Sequence, residues 1–349
     1  MAFRIDPILR RQFRRFRSLR RGWWSFLILA FFLVLAAFGE LFVNSRALIV
    51  HYRGRTYFPT YTAFHPGTDF GETYSYETNY RKLEERFLRE GGGNWVLMPP
   101  VPYNPYENSF DTGAYPPTPP SFAERHYFGT DTTGRDVLAR LFYGFRIAMI
   151  FSILFVALVY FLGCAIGCAM GYFGGAFDLI AQRLIEIWSN IPFLYVVIIV
   201  ASIFTPNLGL LLAIVVLFSW TGMTYYMRTA TYREKSRDYT AAAQVMGAGS
   251  GRIIFRHILP NTISTLVTFV PFTLVGALTS LTALDFLGFG LPPPTPSWGE
   301  LLHQGTSNLD APWIVTAVFL AMVGVLTLVT FIGEAIREAF DPKKFTYYE

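Results

Sequence analysis

Charge is scarce in this sequence. Asp, Glu, Lys and Arg make up 15% of its 349 residues, against about 25% in an ordinary soluble domain. Hydrophobic residues reach 52% and lie in long runs between the clusters of charge. That pattern argues against a large soluble core and suits a chain embedded in a bilayer. Cysteine is rarer still. Cys164 and Cys168 are the two in the chain, and both fall inside one apolar run. Their i,i+4 spacing is too wide for a CxxC redox pair, so they read as small packing residues. No His, Cys, Asp and Glu grouping has metal-ligand spacing, so no metal site is expected. A phosphate-binding loop is also missing. Gly129-Thr-Asp-Thr-Thr-Gly134-Arg135-Asp136 imitates the glycine spacing of one. Yet Arg and Asp occupy the places where Lys would meet phosphate and Ser/Thr would hold magnesium. ATP binding in this chain is therefore excluded.

A membrane-spanning helix needs about 20 apolar residues. Six stretches qualify, approximately 23–43, 147–172, 184–204, 210–227, 263–284 and 313–332. Lys and Arg near the span ends set the orientation. Residues 1–21 hold Arg4, Arg10, Arg11, Arg14, Arg15, Arg17, Arg20 and Arg21 against the single acid Asp6. The segment 228–262 holds Arg228, Arg233, Lys235, Arg237, Arg252 and Arg256, and the tail adds Arg337, Lys343 and Lys344. The connections 205–209 and 291–312 contain neither Lys nor Arg. Both termini and 228–262 are thus expected in the cytoplasm. Ala37-Phe38-Gly39 could mark a cleaved signal peptide, but the apolar run continues past it, which favours a retained anchor. The expected organisation is a basic tail 1–22, a first span 23–43, an outer segment 44–146, a membrane domain 147–336 and a tail 337–349.

Gly163, Gly167 and Gly171 recur every fourth residue and share one helix face, where another backbone can approach closely. Packing within the chain and packing against a partner subunit both fit. In the outer segment only 80–89 looks helical, with Leu83, Phe87 and Leu88 on one side and Gly91-Gly92-Gly93 as its stop. The aromatic residues around it suggest a surface resting on the membrane or on a partner.

The most informative stretch is 236–261, SRDYTAAAQVMGAGSGRIIFRHILPN. Asp238 is a plausible N-cap, and 239–246 favours helix. Gly247, Gly249 and Gly251 break it. A second short helix, 252–258, is expected to end before Pro260. Alone, such an elbow is a connector or a coupling element.

The order of its residues resembles the EAA loop of ABC importer permeases. Ala242, Ala243 and Gly247 match the family's alanines and glycine, and Leu259-Pro260 matches its closing pair. Ala241 stands where that family usually has Glu, which puts a salt bridge at this position in doubt. The segments 128–147 and 284–301 are similar to di- and oligopeptide permeases. The outer segment, with Tyr57-Phe58-Pro59, Asp69-Phe70-Gly71 and 93–97, resembles the Yej-type branch, which imports peptides and microcin C. The segment 331–342 fits that branch too.

The resemblance implies an all-α membrane protein, six transmembrane helices of the ABC importer permease type, with a long irregular periplasmic insertion between the first two. It implies a coupling site at Asp238, Ala241, Ala242, Ala243, Gly247, Gly251, His257, Leu259 and Pro260. It also implies a non-enzymatic subunit of the bacterial inner membrane. The expected partners are a paralogous permease (as a heterodimer), ABC ATPase subunits holding ATP and magnesium, a periplasmic peptide-binding protein, membrane lipid and the peptide substrate. No nucleic acid is expected.

Charges at membrane depth are functional candidates. Glu40, Glu186 and Asp285 each lie near a span end, where snorkelling to water is the plainer reading. Asp285 adjoins a Gly-Phe-Gly turn at the outer mouth and is the best candidate to face a peptide cation, with Phe289 beside it. At His257 a helix-end hydrogen bond is favoured over a metal. Two other classes stay open from sequence: an ion-coupled secondary transporter, and a membrane receptor or scaffold.

Overall fold

A computed structural model describes residues 7–109 and 114–340. Arg4, Asp6, Lys343 and Lys344, counted above for orientation, lie outside the described residues. Among the described residues five helices are long and apolar enough to cross a bilayer, or six if one bent pair counts as a span.

A basic helix α1 (Pro7–Ser18) precedes α2 (Arg20–Ala37). Two glycines seat α2, one at each end. A methyl group at Gly22 would overlap Ala335, and one at Gly39 would lie 2.9 Å from the Phe142 ring. Next comes a small sheet-and-helix unit. Strands β1 (Ile49–Tyr52) and β2 (Arg55–Tyr57) form a hairpin through Arg53-Gly54, both with positive φ. After α3 (Tyr80–Glu90), strand β3 (Trp95–Leu97) pairs antiparallel with the other edge of β1. Val50, Tyr52, Phe70, Tyr80, Leu83 and Phe87 close a core between sheet and helix. The segment is therefore not irregular throughout: 49–97 carries a small sheet and a helix. Its strands have three or four residues, too short for alternation to show in sequence. Leu88, expected on the inner face of α3, is 78% exposed, and Tyr80 takes the buried place.

Helix α4 (Val137–Phe173) starts ten residues before the apolar run predicted from hydropathy. Asp136 caps it by accepting from Ala139 N at 2.7 Å. Its 37 residues extend about 55 Å, well beyond an apolar core of about 30 Å, so its first turns stand outside the membrane. Its glycine stripe faces α7 (Leu208–Lys235). A Cβ at Gly163 would fall 2.5 Å from Met223 Cβ, and one at Gly167 would fall 2.5 Å from Thr224 O. A Cβ at Gly171 would fall 2.6 Å from Arg228 O. The stripe packs within the chain.

The predicted third span is not one helix. It divides into α5 (Gly175–Ser189) and α6 (Phe193–Ile203), bent by 67° at the Asn190-Ile191-Pro192 break. Proline lacks the N–H that a continuing helix needs and pushes the preceding residue out of the helical region. After α7 come the short helices α8 (Asp238–Val245) and α9 (Ser250–Arg252). A π-helical turn at Ile253–Ile258 then runs straight into α10 (Leu259–Phe286). No break precedes Pro260. Helical backbone passes through Pro260, with the Leu259 N–H reaching back to the Ile254 carbonyl in the π turn just before it. Helices α11 (Trp298–Ser307) and α12 (Pro312–Phe340) complete the bundle. The ends of α7, α10 and α12 that carry α8 and α1 form one pole, and the sheet and α11 mark the other.

Candidate functional site

The elbow at 236–261 is fixed on one side and bare on the other. Its anchor is Glu234, in the last turn of α7, 7% exposed. Tyr239 OH donates to Glu234 Oε2 at 3.0 Å, and Thr240 Oγ1 donates to the Glu234 carbonyl at 2.8 Å. Burial, then the bond to this carboxylate, raises the Tyr239 phenol above its ordinary pKa. Ala243 is buried beneath, and Ile253, Ile254 and Ile258 hold the returning arm. Between them Gly247 has φ +82°, donates to the Gln244 carbonyl at 2.9 Å, and would have open space around a Cβ. A side chain there is strained, so glycine belongs at the turn.

The outward side of the elbow sets apolar residues among exposed Arg237, Asp238, Gln244, Arg252 and Arg256. Ala241, Ala242 and Gly247 are exposed, as are Val245 at 88%, Met246 at 79% and Phe255 at 67%. Gly251 is exposed, and His257 and Leu259 are half-buried. The His257 carbonyl accepts from Asn261 Nδ2 at 2.7 Å, a backbone contact in which the imidazole plays no part. Asp238 is not the cap. Arg237 occupies that position, with no capping side-chain hydrogen bond, and Asp238 is the first helical residue. Ala241 N donates to the Arg237 carbonyl at 3.2 Å, which closes the first helical turn one residue earlier than expected.

Sequence reasoning missed a tie beside the elbow. Arg228 in α7 donates to both oxygens of Asp178 in α5, at 2.5 and 2.6 Å. Tyr232 OH donates to Asp178 Oδ2 at 2.6 Å. Asp178 is buried, so α5 is clamped to α7 just above the Glu234 anchor. The signal lay in two opposite charges 50 positions apart, which no local pattern joins.

At the other pole the glycine loop 129–136 folds on its own carboxylate. Asp131 Oδ1 accepts from Thr133 N, Thr133 Oγ1 and Arg135 N at 2.8–3.0 Å. Asp131 Oδ2 accepts from Arg135 Nε at 2.8 Å. Those donors are spent, which is why the loop has no place for phosphate. Arg135 donates to Glu300 of α11 at 2.9 Å, and the fully buried Arg140 also pairs with Glu300. Thr132 donates twice to Gln304. The loop is a lock between α4 and α11.

Asp285 does not face an open path. It is 7% exposed and accepts from Leu291 N at 2.7 Å and from Ser297 Oγ. It closes the 287–297 turn, and Phe289 packs half-buried against the core. Glu40 pairs with Arg146 at 2.7 Å, and Glu186 pairs with Arg183 at 2.6 Å. No group that could hold a metal occurs among the described residues.

The elbow sits on a bundle of apolar helices long enough to cross a bilayer, the frame of a multi-pass membrane protein. The chain belongs to the family of binding-protein-dependent transport system inner membrane components, whose model matches residues 163–346. It is a permease subunit of an ABC importer. It is 41% identical to the inner membrane ABC transporter permease protein YejE of Escherichia coli, over 98% of this chain and 99% of that one. It is 36% identical to the peptidoglycan transport system permease protein YejE of Agrobacterium fabrum, over 97% and 94%. It is 35% identical to the dipeptide transport system permease protein DppC of Haemophilus influenzae, over 71% and 85%. The last alignment spans less of this chain than the two YejE alignments do.

Proposed function

We propose that this subunit, paired with a paralogous permease, moves peptides or peptide-like compounds across the bacterial inner membrane. Peptidoglycan fragments and microcin C share the peptide character of that class. Nucleotide chemistry belongs to separate ABC ATPase subunits, with their ATP and magnesium, and this chain catalyses no covalent step. A periplasmic peptide-binding protein delivers substrate to the outer pole, and both termini and residues 228–262 lie in the cytoplasm. Residues 44–146 are periplasmic in this topology.

The observation that carries the reading is the elbow. Exposed Val245, Met246 and Phe255 are costly to leave in water, yet a rigid anchor holds them there. Such a surface suits a groove on another protein. Ala241 and Ala242 let α8 seat deeply, and with Ala241 in place of Glu the seating is steric, without an ion pair at that position. ATP-driven closure then moves α8 together with α7 and α10, to which it is joined. An ion-coupled transporter has no use for such a seat, and a receptor would not need one inside the cell.

Val245→Glu tests this. The residue is exposed in a helix, so the fold of this chain should be unchanged. A charge in the seat should cost affinity on the order of tenfold or more. ATPase co-purification with the permease pair should fall together with ATP-dependent peptide uptake into proteoliposomes. Full uptake with ATPase retained would refute the assignment.

A further inference from the structure

Helix α1 carries Arg10, Arg11, Arg14, Arg15 and Arg17 and no acidic residue. Its two faces differ. Gln12 and Phe16 are buried, with the Phe16 ring 6.1 Å from Trp23 and 6.0 Å from Phe26. Arg15 is half-buried, 4.0 Å from Glu338 of α12. The chain turns at Leu19, with φ −81° and ψ 88°, so α1 lies against the ends of α2 and α12 without continuing either. Arg10, Arg14 and Arg17 recur at helical spacing on the opposite face. Together with Arg11 they are exposed, and Arg20 and Arg21 extend the exposed charge into α2.

We propose that this arginine face binds the phosphate headgroups of anionic phospholipids, in the leaflet at the elbow pole. The surroundings select that occupant. Beyond the turn, α2 exposes Phe26, Leu27, Ile28, Phe31, Phe32 and Val34, a flank that meets acyl chains in a bilayer. The arginines begin where that flank stops, at the level of the same lipids' headgroups. Phe13 at 58% and Trp24 at 61% exposure stand among them, as aromatic rings do at a membrane–water boundary. Guanidinium forks match phosphate oxygens two at a time, and a basic helix with aromatic neighbours is the form of an interfacial element. The ATPase seat is elsewhere: α8 packs on α7 and the π turn, whereas α1 packs on α2 and α12. The inference rests on the topology above only for naming the leaflet as cytoplasmic.

The test uses the complete importer in nanodiscs of phosphatidylcholine with a minority of phosphatidylglycerol. Phosphatidylglycerol retained per complex is counted by native mass spectrometry. Replacing Arg10, Arg14 and Arg17 with Gln should lower apparent affinity for phosphatidylglycerol on the order of tenfold or more. Replacement with Lys should keep most of it. In the wild type, retention should weaken as salt rises. Unchanged retention in the Gln variant, or no salt dependence in the wild type, would overturn the proposal. So would loss of ATPase at constant lipid content, which would give the face to a protein partner. Thiol labelling of Ser18→Cys in sealed vesicles reads sidedness separately, so a wrong topology cannot be mistaken for a failure to bind lipid.

Discussion

Glu234 illustrates how much one side chain can settle that its sequence position conceals. It sits in a stretch of mixed charge, Arg233-Glu234-Lys235-Ser236-Arg237, and nothing local distinguishes it from a solvated acid. The fold buries it and turns it into the peg on which Tyr239 hangs, while its carbonyl holds Thr240. Asp285 ran the opposite way. Its place at a span end pointed to substrate, but the Leu291 N–H and the Ser297 hydroxyl converge on it, so its charge organises a turn. In both cases the partner lies five to twelve residues on, past a helix end, and pairing at those spacings leaves no periodic trace. Glu234→Ala should therefore free α8 without unfolding the bundle. The loss of one charge-assisted bond at a partly buried site is worth about 1.5–3 kcal/mol. Hydrogen exchange of 238–247 should speed up while that of α4 and α12 stays slow. Unchanged exchange in α8 would show that the peg bears no load.

Helices were legible wherever burial is governed by hydropathy alone. The spans now seen as α2, α4, α7, α10 and α12 were each expected, and their start points moved only where polar turns continue a helix beyond the apolar core, as at 137–146. Reading failed where backbone chemistry overrules composition. Apolar residues run through 191–204, yet Pro192 imposes a bend of 67°. Pro260 was expected to end a helix, yet the helical backbone runs through it, with a π turn at Ile253–Ile258 immediately before. The glycine stripe of α4 was legible as a close-packing face but not as to its partner, because both occupants need the same absent side chains. Gly167→Ala distinguishes a contact site from a neutral one. A methyl group there would lie 2.5 Å from Thr224 O, whereas one on Gly276 would have open space. Forcing α4 from α7 should destabilise by about 1–3 kcal/mol, read as a lower melting temperature of the purified complex. Gly276→Ala should leave it level or raise it. Equal effects at the two sites would contradict the close α4–α7 approach.

Taken as a whole, the molecule is stiff at both poles and loosely packed at one place between them. The lock of Asp131, Arg135, Arg140 and Glu300 ties α4 to α11 at the sheet pole. The Glu234 peg ties α8 to α7 at the other. Between them α5 and α6 leave most of their surface exposed, with Asp178 and Ile185 the buried residues of α5 and Val197 that of α6. Among the described residues Asp178 is one of two polar grips between α7 and the broken span, the other being Trp188 Nε1 donating to the Leu217 carbonyl at 3.0 Å, and its partner Arg228 lies within two helical turns of the peg. A displacement of the elbow that drags the end of α7 must pull α5 through the Arg228 fork. Asp178→Asn keeps the shape but removes the charge that Arg228 and Tyr232 address. In proteoliposomes its expected signature is an altered ratio: ATP hydrolysis continues while peptide delivered per ATP falls about tenfold or more, as loss of a charge-assisted bond worth about 1.5–3 kcal/mol would give. Exchanging the pair, Asp178→Arg with Arg228→Asp, should recover part of that ratio if the link is the ion pair itself. If hydrolysis and uptake fall in proportion, or the exchanged pair recovers neither, the fork only supports the fold, and the drive to the broken span passes through the packing of Trp188 and Phe193 on Phe218 of α7.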